Sequence, residues 1–180
     1  DLQEINALYH ITRSLTALLD PDQLMKEAVE FLQKSFGYYH IQIFSVDPAN
    51  GSLVARYGAG AVGNQFSEQG VRIPAGTGII GHVVETGEPF FTNNVDQVVF
   101  FHRDPLIPDT KSEMTLPIIV EDKIVGVLDI QEVPSNPLSL RQMKLMGAIT
   151  QQMALAMQKA NLYTELQKSL YQEKTMRAQL

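Results

Sequence analysis

The 180-residue sequence contains no cysteine. This absence excludes disulfides, thiolate metal sites and a cysteine nucleophile within the chain. Basic residues are also few: 14 Lys and Arg stand against 20 Asp and Glu, which gives a formal net charge of −6. Because nucleic-acid binding depends mainly on clustered basic side chains, and these are dispersed, we expect no nucleic-acid partner.

Long apolar runs are missing as well. No window approaches the roughly 18 consecutive apolar residues of a membrane span, and no signal-peptide pattern opens the chain. We therefore expect a cytoplasmic location, or the cytoplasmic part of a membrane-anchored sensor, without direct membrane contact. The chain starts without Met and its final helical pattern continues to the last residue, so we interpret it as a segment of a longer protein.

Common catalytic and metal-binding patterns are absent too. The four histidines show neither H-x-x-x-H nor H-E-x-x-H spacing, so we expect no zinc or other metal site. G-x-S-x-G does not occur, which removes one sign of a serine nucleophile. His82 and His102 could each supply one ligand, for instance to a haem, but a lone histidine is more often a surface or core residue, and we expect no haem. We expect that this segment is not an enzyme.

Helical periodicity dominates the N-terminal part of the chain. Residues 2–19 carry apolar side chains every three or four positions, as in a narrow helical seam. Asp20 is a suitable N-cap and Pro21 a suitable first residue for a second helix, which Gly37 would end after Phe36. The main seam positions are Leu8, Ile11, Leu15 and Leu18.

The C-terminal part predicts one long helix with Ser139 as its N-cap. Its apolar positions step by three and four, with Gln167 in the one polar slot, so the helix begins as a core helix and continues as a coiled-coil-like seam. Together with the N-terminal helix it indicates pairing with a second copy of the chain. The seam positions are Met146, Ile149, Met153, Ala156, Ala160, Tyr163 and Leu170.

The middle of the chain changes to strand-like patterns. "HIQIFSV" and "GSLVARY" flank the turn "DPANG", and "EMTLPIIV" and "KIVGVLDIQEV" meet at a turn over Glu121, Asp122 and Lys123. Both pairs predict antiparallel hairpins. Between them lie a short helix over residues 79–85 and a long, poorly patterned loop, and such loops are usually functional or mobile.

The segment "IPAGTGIIGHVVETGEPFF" contains G-x-G-x-x-G at Gly76, Gly78 and Gly81. A dinucleotide site needs this turn between parallel strands, and the neighbouring strands here are hairpins. We therefore interpret the glycines as a tight turn into a short helix, whose free N–H groups could face a small ligand.

Two further features have open alternatives. Asp129 interrupts the apolar strand "IVGVLDIQ", where its carboxylate could face a cavity, or instead lie at a solvent-facing edge or cap a local hydrogen bond. Phe100, Phe101 and His102 form an aromatic cluster that could be a lid over a pocket or a plug that fills one.

The order of these pieces resembles a GAF domain. The matching motifs are "GTGIIGHV", "TGEPFFTNNV", "TLPI" and "GVLDI", and the resemblance covers roughly residues 21–160. The resemblance implies an α+β, PAS-related fold, with a central six-stranded antiparallel sheet, terminal helices on one face and a small-molecule pocket on the other. It also implies the sensory segment of a bacterial signalling protein, such as a sensor histidine kinase of a two-component system or a diguanylate cyclase.

By position, the resemblance implies a ligand site on three strands, the short helix and the long loop. Its expected residues are Gln42, Phe44, Ile79, Ile80, Val83, Phe101, His102, Glu113, Thr115 and Asp129. The ligand and any cofactor are unknown. Asn94 and Lys111 match part of the family's cyclic-nucleotide signature, but its Phe and Asp-Glu pair are missing, so we expect no cyclic nucleotide. Members that reduce free methionine sulfoxide depend on cysteines, and bilin is attached through cysteine, so we expect neither activity nor bilin attachment within this segment.

We divide the chain into an N-terminal signalling and dimerisation helix (1–19), a GAF domain (20–160) and a coiled-coil-like linker helix (161–180) that leads to an output domain. The function expected from the resemblance is a homodimeric regulatory module that senses a small molecule and transmits its ligand state. The alternative is a structural dimerisation module whose pocket has collapsed around Phe44 and Phe101.

Overall fold

The computed structural model describes residues 20–180 and seven residues before them: 2, 4–6, 8, 9 and 13. Leu8 packs against the main core, and the Glu4 carboxylate pairs with Arg141 at 3.1 Å. This part of the N-terminal segment therefore lies beside the start of the C-terminal helix. The remaining positions of the predicted seam lie outside the described residues: Ile11, Leu15 and Leu18.

The centre of the fold is one six-stranded sheet with strand order β3-β2-β1-β6-β5-β4. Every neighbouring pair of strands is antiparallel, which confirms the predicted fold class. The strands are β1 (His40–Val46), β2 (Leu53–Gly60), β3 (Arg72–Ile73), β4 (Phe90–Thr92), β5 (Ser112–Val120) and β6 (Lys123–Glu132).

Helices cover both faces of this sheet. The predicted helix boundaries hold closely where a cap specifies them: the Asp20 side chain accepts from the Asp22 N–H, and Gly37 ends α1 with a φ of 67°. Ser139 and Gln142 form a capping box at the start of α4. The helices are α1 (Pro21–Phe36), α2 (Gln65–Glu68), α3 (Gly78–Thr86) and α4 (Leu140–Ala178), with a 3₁₀ turn at Val95–Gln97.

The first face of the sheet carries α1 and α4, as predicted for the terminal helices. Met146, Ile149 and Met153 of α4 are fully buried against Leu116 and Leu128 of the sheet, within one core cluster. Beyond the sheet, residues 161–180 are exposed along their whole length. With 39 residues, α4 is about 58 Å long, so much of it extends away from the domain.

Three details differ from the sequence prediction. The second hairpin turns through two residues, Glu121 and Asp122, whose positive φ angles of 51° and 63° suit such a turn, while Lys123 already pairs with Val120. The second strand begins at Leu53 and not at the glycine of the turn. Neither α2 nor β3 was expected, because four and two residues are too few to show a period.

The second face of the sheet carries α2, α3 and the long loop of residues 95–111. A separate apolar cluster fills this side, and it includes Phe44 from β1, Phe66 from α2, Val83 from α3 and Ile107 from the loop. The functional candidates lie on this face.

Candidate ligand pocket on the sheet

A row of polar side chains crosses the three central strands on the second face. Strand alternation places His40 and Gln42 of β1 on this side, while Ile41 and Ile43 enter the core under the helices. In the ladder, Gln42 lies opposite Asp129 of β6, and Asp129 in turn lies opposite Thr115 of β5. The polar row is therefore a direct result of register.

These side chains hold one another in a buried network. The Thr115 hydroxyl donates to Asp129 Oδ1 at 2.6 Å, and Gln131 Nε2 donates to Asp129 Oδ2 at 2.9 Å. Gln131 Nε2 also lies 3.5 Å from Glu113 Oε1, and its own carbonyl oxygen accepts from the Thr110 hydroxyl at 2.7 Å. One amide thus stands between two carboxyl groups, and we call Glu113 and Asp129 the carboxyl pair.

The carboxyl pair is almost completely removed from water. Glu113 is 4% exposed and Asp129 is 2% exposed. Burial raises the pKa of Glu113 well above its ordinary value, and the nearby charge of Asp129 and a hydrogen bond to it raise that pKa further. These causes favour a protonated Glu113 that donates a hydrogen bond to Asp129, and we call this hydrogen the shared proton.

His40 adds an unpaired acceptor to the same wall. Burial lowers the pKa of His40, which favours the neutral ring. His40 Nε2 lies 3.2 Å from the side-chain oxygen Oε1 of Gln42. The side-chain nitrogen Nε2 of Gln42 is directed to the Ile43 carbonyl and the Ser67 hydroxyl, so Oε1 is the atom that faces His40. His40 Nε2 therefore carries the hydrogen, and Nδ1 is a buried acceptor with no partner among the described residues.

The glycine motif forms a second wall of the pocket. Gly76 and Gly78 have φ angles of 75° and 73°, so both need the freedom of glycine. A Cβ on Gly81 would lie 2.6 Å from the carbonyl carbon of Gly76, so the first turn of α3 packs directly on the preceding loop. Thr77, the N-cap of α3, makes no side-chain capping bond, and it lines the pocket together with Gly78.

The long loop forms the outer wall through His102, Asp104 and Ile107. Its two ends are tied together by Asp96, whose carboxylate contacts Arg103 at 2.9 Å and Lys111 at 2.8 Å. Arg103 also donates to the carbonyl groups of Pro108 and Thr110, each at 2.8 Å. Ion pairs and hydrogen bonds within the loop therefore stabilise its conformation.

Stacked rings fasten this loop to the rest of the domain. Phe100 stacks on His82 of α3 with ring centroids 4.1 Å apart, and it meets Phe90 of β4 at 5.4 Å. The guanidinium carbon of Arg103 lies over the Phe101 ring, 5.2 Å from the ring centroid. Of the aromatic cluster, only His102 lines the pocket, so the rings act beside it and do not fill it.

The space is small, and most of its lining surface is apolar. It leaves about 40 Å³ for the centres of water-sized molecules, which corresponds to about three waters. A ligand of this volume would meet a row of polar groups on the sheet side and a more apolar surface elsewhere. The apolar lining consists of Phe44, Phe66, Ile73, Ile79, Ile80 and Ile107.

The structure brings together most of the site residues predicted from the sequence. Three of the ten do not line the pocket. Val83 is fully buried in the apolar cluster, Thr115 is a buried cross-strand neighbour that donates to Asp129, and Phe101 packs under Arg103. The residues that do line it are Gln42, Phe44, Ile79, Ile80, His102, Glu113 and Asp129.

Sequence reasoning missed several polar lining residues. His40 precedes Gln42 by two positions, and Gln131 follows Asp129 by two, so strand alternation could have placed both on the pocket face. Asp104 had no such signal because it belongs to an irregular loop. Among the described residues, no group of three His, Cys, Asp or Glu side chains is arranged to hold a metal ion.

A known protein family matches this chain in sequence. The sequence model of the GAF domain matches residues 19–158. The chain belongs to the GAF domain family. No curated protein is significantly similar to it in sequence. Within the described residues, no helix combines the length and the apolar character that crossing a membrane requires.

Solved GAF-fold structures share the whole arrangement. The GAF domain of a phosphoenolpyruvate-protein phosphotransferase from Coxiella burnetii has a TM-score of 0.80 at 20% identity, over 91% of this chain and 98% of that chain. Free methionine-R-sulfoxide reductase from Neisseria meningitidis, in complex with its substrate, gives 0.79 at 17% identity, over 91% and 94%. Residues 122–287 of a methyl-accepting chemotaxis protein give 0.72 at 22% identity, over 85% and 98%. At these identities the likeness shows the fold alone.

Proposed function

We propose that this GAF domain is a homodimeric sensory module that binds a small molecule in the sheet pocket and transmits its occupancy through α4 to an output domain. The observation that carries the proposal is the buried polar row from His40 to Glu113 on the sheet side of the pocket. Burying such groups costs free energy unless they are satisfied, so a merely structural sheet face would be expected to be apolar.

The exposed end of α4 supports the dimer. Between residues 155 and 170 of this helix, five large apolar side chains are between 44% and 59% exposed, and they recur at helical spacing along one side. A second copy of the helix is the natural cover for such a seam, since two identical seams are self-complementary. We call these side chains the α4 stripe: Leu155, Leu162, Tyr163, Leu166 and Leu170.

Regulation and not catalysis is the proposed role of this segment. GAF-fold relatives include a chemotaxis protein and a phosphotransferase domain, which supports signal transduction, whereas the reductase relatives are enzymes. The cysteine chemistry of those reductases has no counterpart here because the chain has none. We place the domain in the cytoplasm, within a bacterial sensor such as a histidine kinase or diguanylate cyclase, as part of the same proposal.

The small size of the pocket favours one alternative, a GAF module that only dimerises. The two functions make different predictions for a screen of small metabolites by melting temperature, because a ligand specific for the folded state must raise it. The sensory function predicts stabilising compounds whose effect is reduced by Asp129→Asn. A screen without any stabilising compound would leave the dimerisation module as the better description.

Transmission can be measured in the same chain. Since the sequence has no cysteine, Gln172→Cys gives a single spin-label site on the exposed part of α4, opposite the stripe. We expect the label-to-label distance in the dimer to change when a stabilising compound binds. Deletion of residues 161–180 should weaken dimerisation and ligand affinity together, and unchanged values for both would contradict the coupling.

A further inference from the structure

Three carboxyl groups are among the polar side chains of the pocket, whereas the amide donors of Gln42 and Gln131 are already bonded within the fold. Glu113 and Asp129 line the pocket from the sheet, and His40 lines it too and has the unpaired Nδ1. Asp104 lines it from the loop, where one of its carboxyl oxygens accepts from the Leu106 N–H at 2.8 Å. Among the residues that the structure describes, no lysine or arginine lines the pocket. A ligand that satisfies this wall must therefore bring donors of its own.

We propose that the sheet pocket binds a small organic cation, a primary ammonium group on a short apolar body, with the ammonium held by Glu113 and Asp129. The inference rests on the proposed sensory function and deepens it by naming the ligand class. An ammonium group carries three N–H donors and no acceptor, which matches two carboxylates and a neutral imidazole. The apolar body would lie against Phe44, Phe66 and the isoleucines of the lining.

Binding of the cation releases the proton that the carboxyl pair shares. No cationic side chain of the described part of the chain lies in the pocket lining, and the raised pKa of Glu113 describes a carboxyl group kept neutral by burial and by its neighbour. An ammonium between the two carboxyls removes that reason for protonation. The cation therefore enters as one proton leaves to the solvent, and the net charge of the site is unchanged.

The N-terminus of α3 would favour the opposite kind of ligand. Its free N–H groups and its helix dipole stabilise negative charge, and Thr77 leaves them uncapped. The dipole is equivalent to about half a charge, whereas the carboxyl pair and Asp104 offer up to three carboxylates. Charge thus favours the cation at the sheet, and an anion preference is the outcome that would refute this reasoning.

Three nearly isosteric probes separate these cases: ethylammonium chloride, ethanol and sodium acetate. With three heavy atoms, ethylammonium fits a space of about three waters, and an upper bound of about 1.5 kcal/mol per heavy atom implies millimolar affinity. Titrations followed by NMR at constant ionic strength suit this range. We expect ethylammonium to shift the amide signals of β5 and β6 and to bind at least tenfold more tightly than acetate.

Two measurements connect the binding to the carboxyl pair. Glu113→Gln should weaken ethylammonium binding by tenfold or more, whereas Glu88→Gln, the same change at an exposed turn, should have no effect. In the unchanged chain, which needs no variant to fold, the affinity should rise up to tenfold per pH unit while the pair still holds its proton. His40, His102 and Asp104 also face the site, so Glu113→Gln must remove the steep part of the profile and leave only their contribution.

The outcomes distinguish the ligand class from the sensory function. Tighter binding of acetate or ethanol at β5 and β6 would overturn the cation preference and leave a functioning pocket. Ethylammonium binding that is equal in Glu113→Gln, or independent of pH, would overturn the role of the carboxyl pair. If none of the probes bound, the cation proposal would fail, and the wider metabolite screen would then decide the sensory function separately.

Discussion

The protonation of Glu113 makes a definite prediction for the stability of the ligand-free domain. Because the folded-state pKa of Glu113 is raised, the native protein binds more protons than the unfolded chain once the pH exceeds the ordinary glutamate value. The stability that this proton provides is fully present below that value. It is lost as the pH rises through the folded pKa, so the contribution of Glu113 destabilises the domain toward alkaline pH.

The magnitude follows from the linkage of one proton. A full proton difference changes the unfolding free energy by about 1.4 kcal/mol per pH unit, so the slope from Glu113 approaches this limit and cannot exceed it. Glu113→Gln replaces the neutral carboxyl group by a neutral group of the same shape. The variant should therefore have nearly the stability of the unchanged chain near pH 4.5 and exceed it progressively at higher pH.

The pKa shift of His40 changes stability with pH in the opposite direction, so its contribution must be separated from that of Glu113. Its lowered pKa means that the unfolded chain binds more protons between the folded pKa and the ordinary histidine value, so stability rises with pH in that window. This contribution is common to the unchanged chain and to Glu113→Gln, and it cancels in their difference. The difference curve therefore reports Glu113.

Denaturant unfolding between pH 4 and pH 8 measures these curves, with m-values compared to check two-state behaviour. Glu88→Gln is the matched control, because the same substitution at an exposed position should follow the unchanged chain at every pH. Parallel curves for Glu113→Gln and the unchanged chain would show that Glu113 ionises normally in the folded domain. The argument for a shared proton would then be refuted.

The remaining predictions concern glycine packing and the loop. Gly81→Ala should destabilise the domain by about 1–3 kcal/mol, because its Cβ would overlap the Gly76 backbone. Gly147→Ala, also inside a helix but 3.8 Å from its nearest neighbour, should stabilise it by about 0.5–1 kcal/mol; equal effects in unfolding experiments would contradict the packing. His82→Ala should remove the stacking with Phe100, worth about 0.5–1.5 kcal/mol, and speed hydrogen exchange in the loop. Unchanged exchange would show that the stack does not hold the loop.

The elements of the fold that the sequence predicts well are those whose signals are local. Asp20, Gly37 and Ser139 specify helix ends through caps, and the alternation in β1 and β6 specifies strands. The glycine turn could be recognised as a turn from its surroundings. Its tightness, however, depends on a contact between Gly76 and Gly81 that only the folded chain reveals.

The candidate site was less accessible to sequence reasoning because it depends on three strands that are distant in the chain. Alternation groups His40 with Gln42 and Glu113 with Thr115, but it does not say which group faces helices and which faces the pocket. The register that places Thr115 opposite Asp129 is a tertiary fact. For the same reason Asp104 was missed: its position depends on how the loop folds back over the sheet.

The alternation of the central strands also limits how a signal could reach α4. Glu113 faces the pocket while the next residue, Met114, is fully buried under the helices, and Asp129 has Leu128 and Ile130 in the same relation. A shift of the pocket floor would therefore act on the helix core within one residue, without a longer chain of contacts. Proximity alone does not produce regulation, because a ligand changes the position of α4 only if it binds two arrangements with different affinity. An ammonium that replaces the shared proton changes the hydrogen bonding of both carboxyls at once, and this exchange is the difference that the proposed coupling requires.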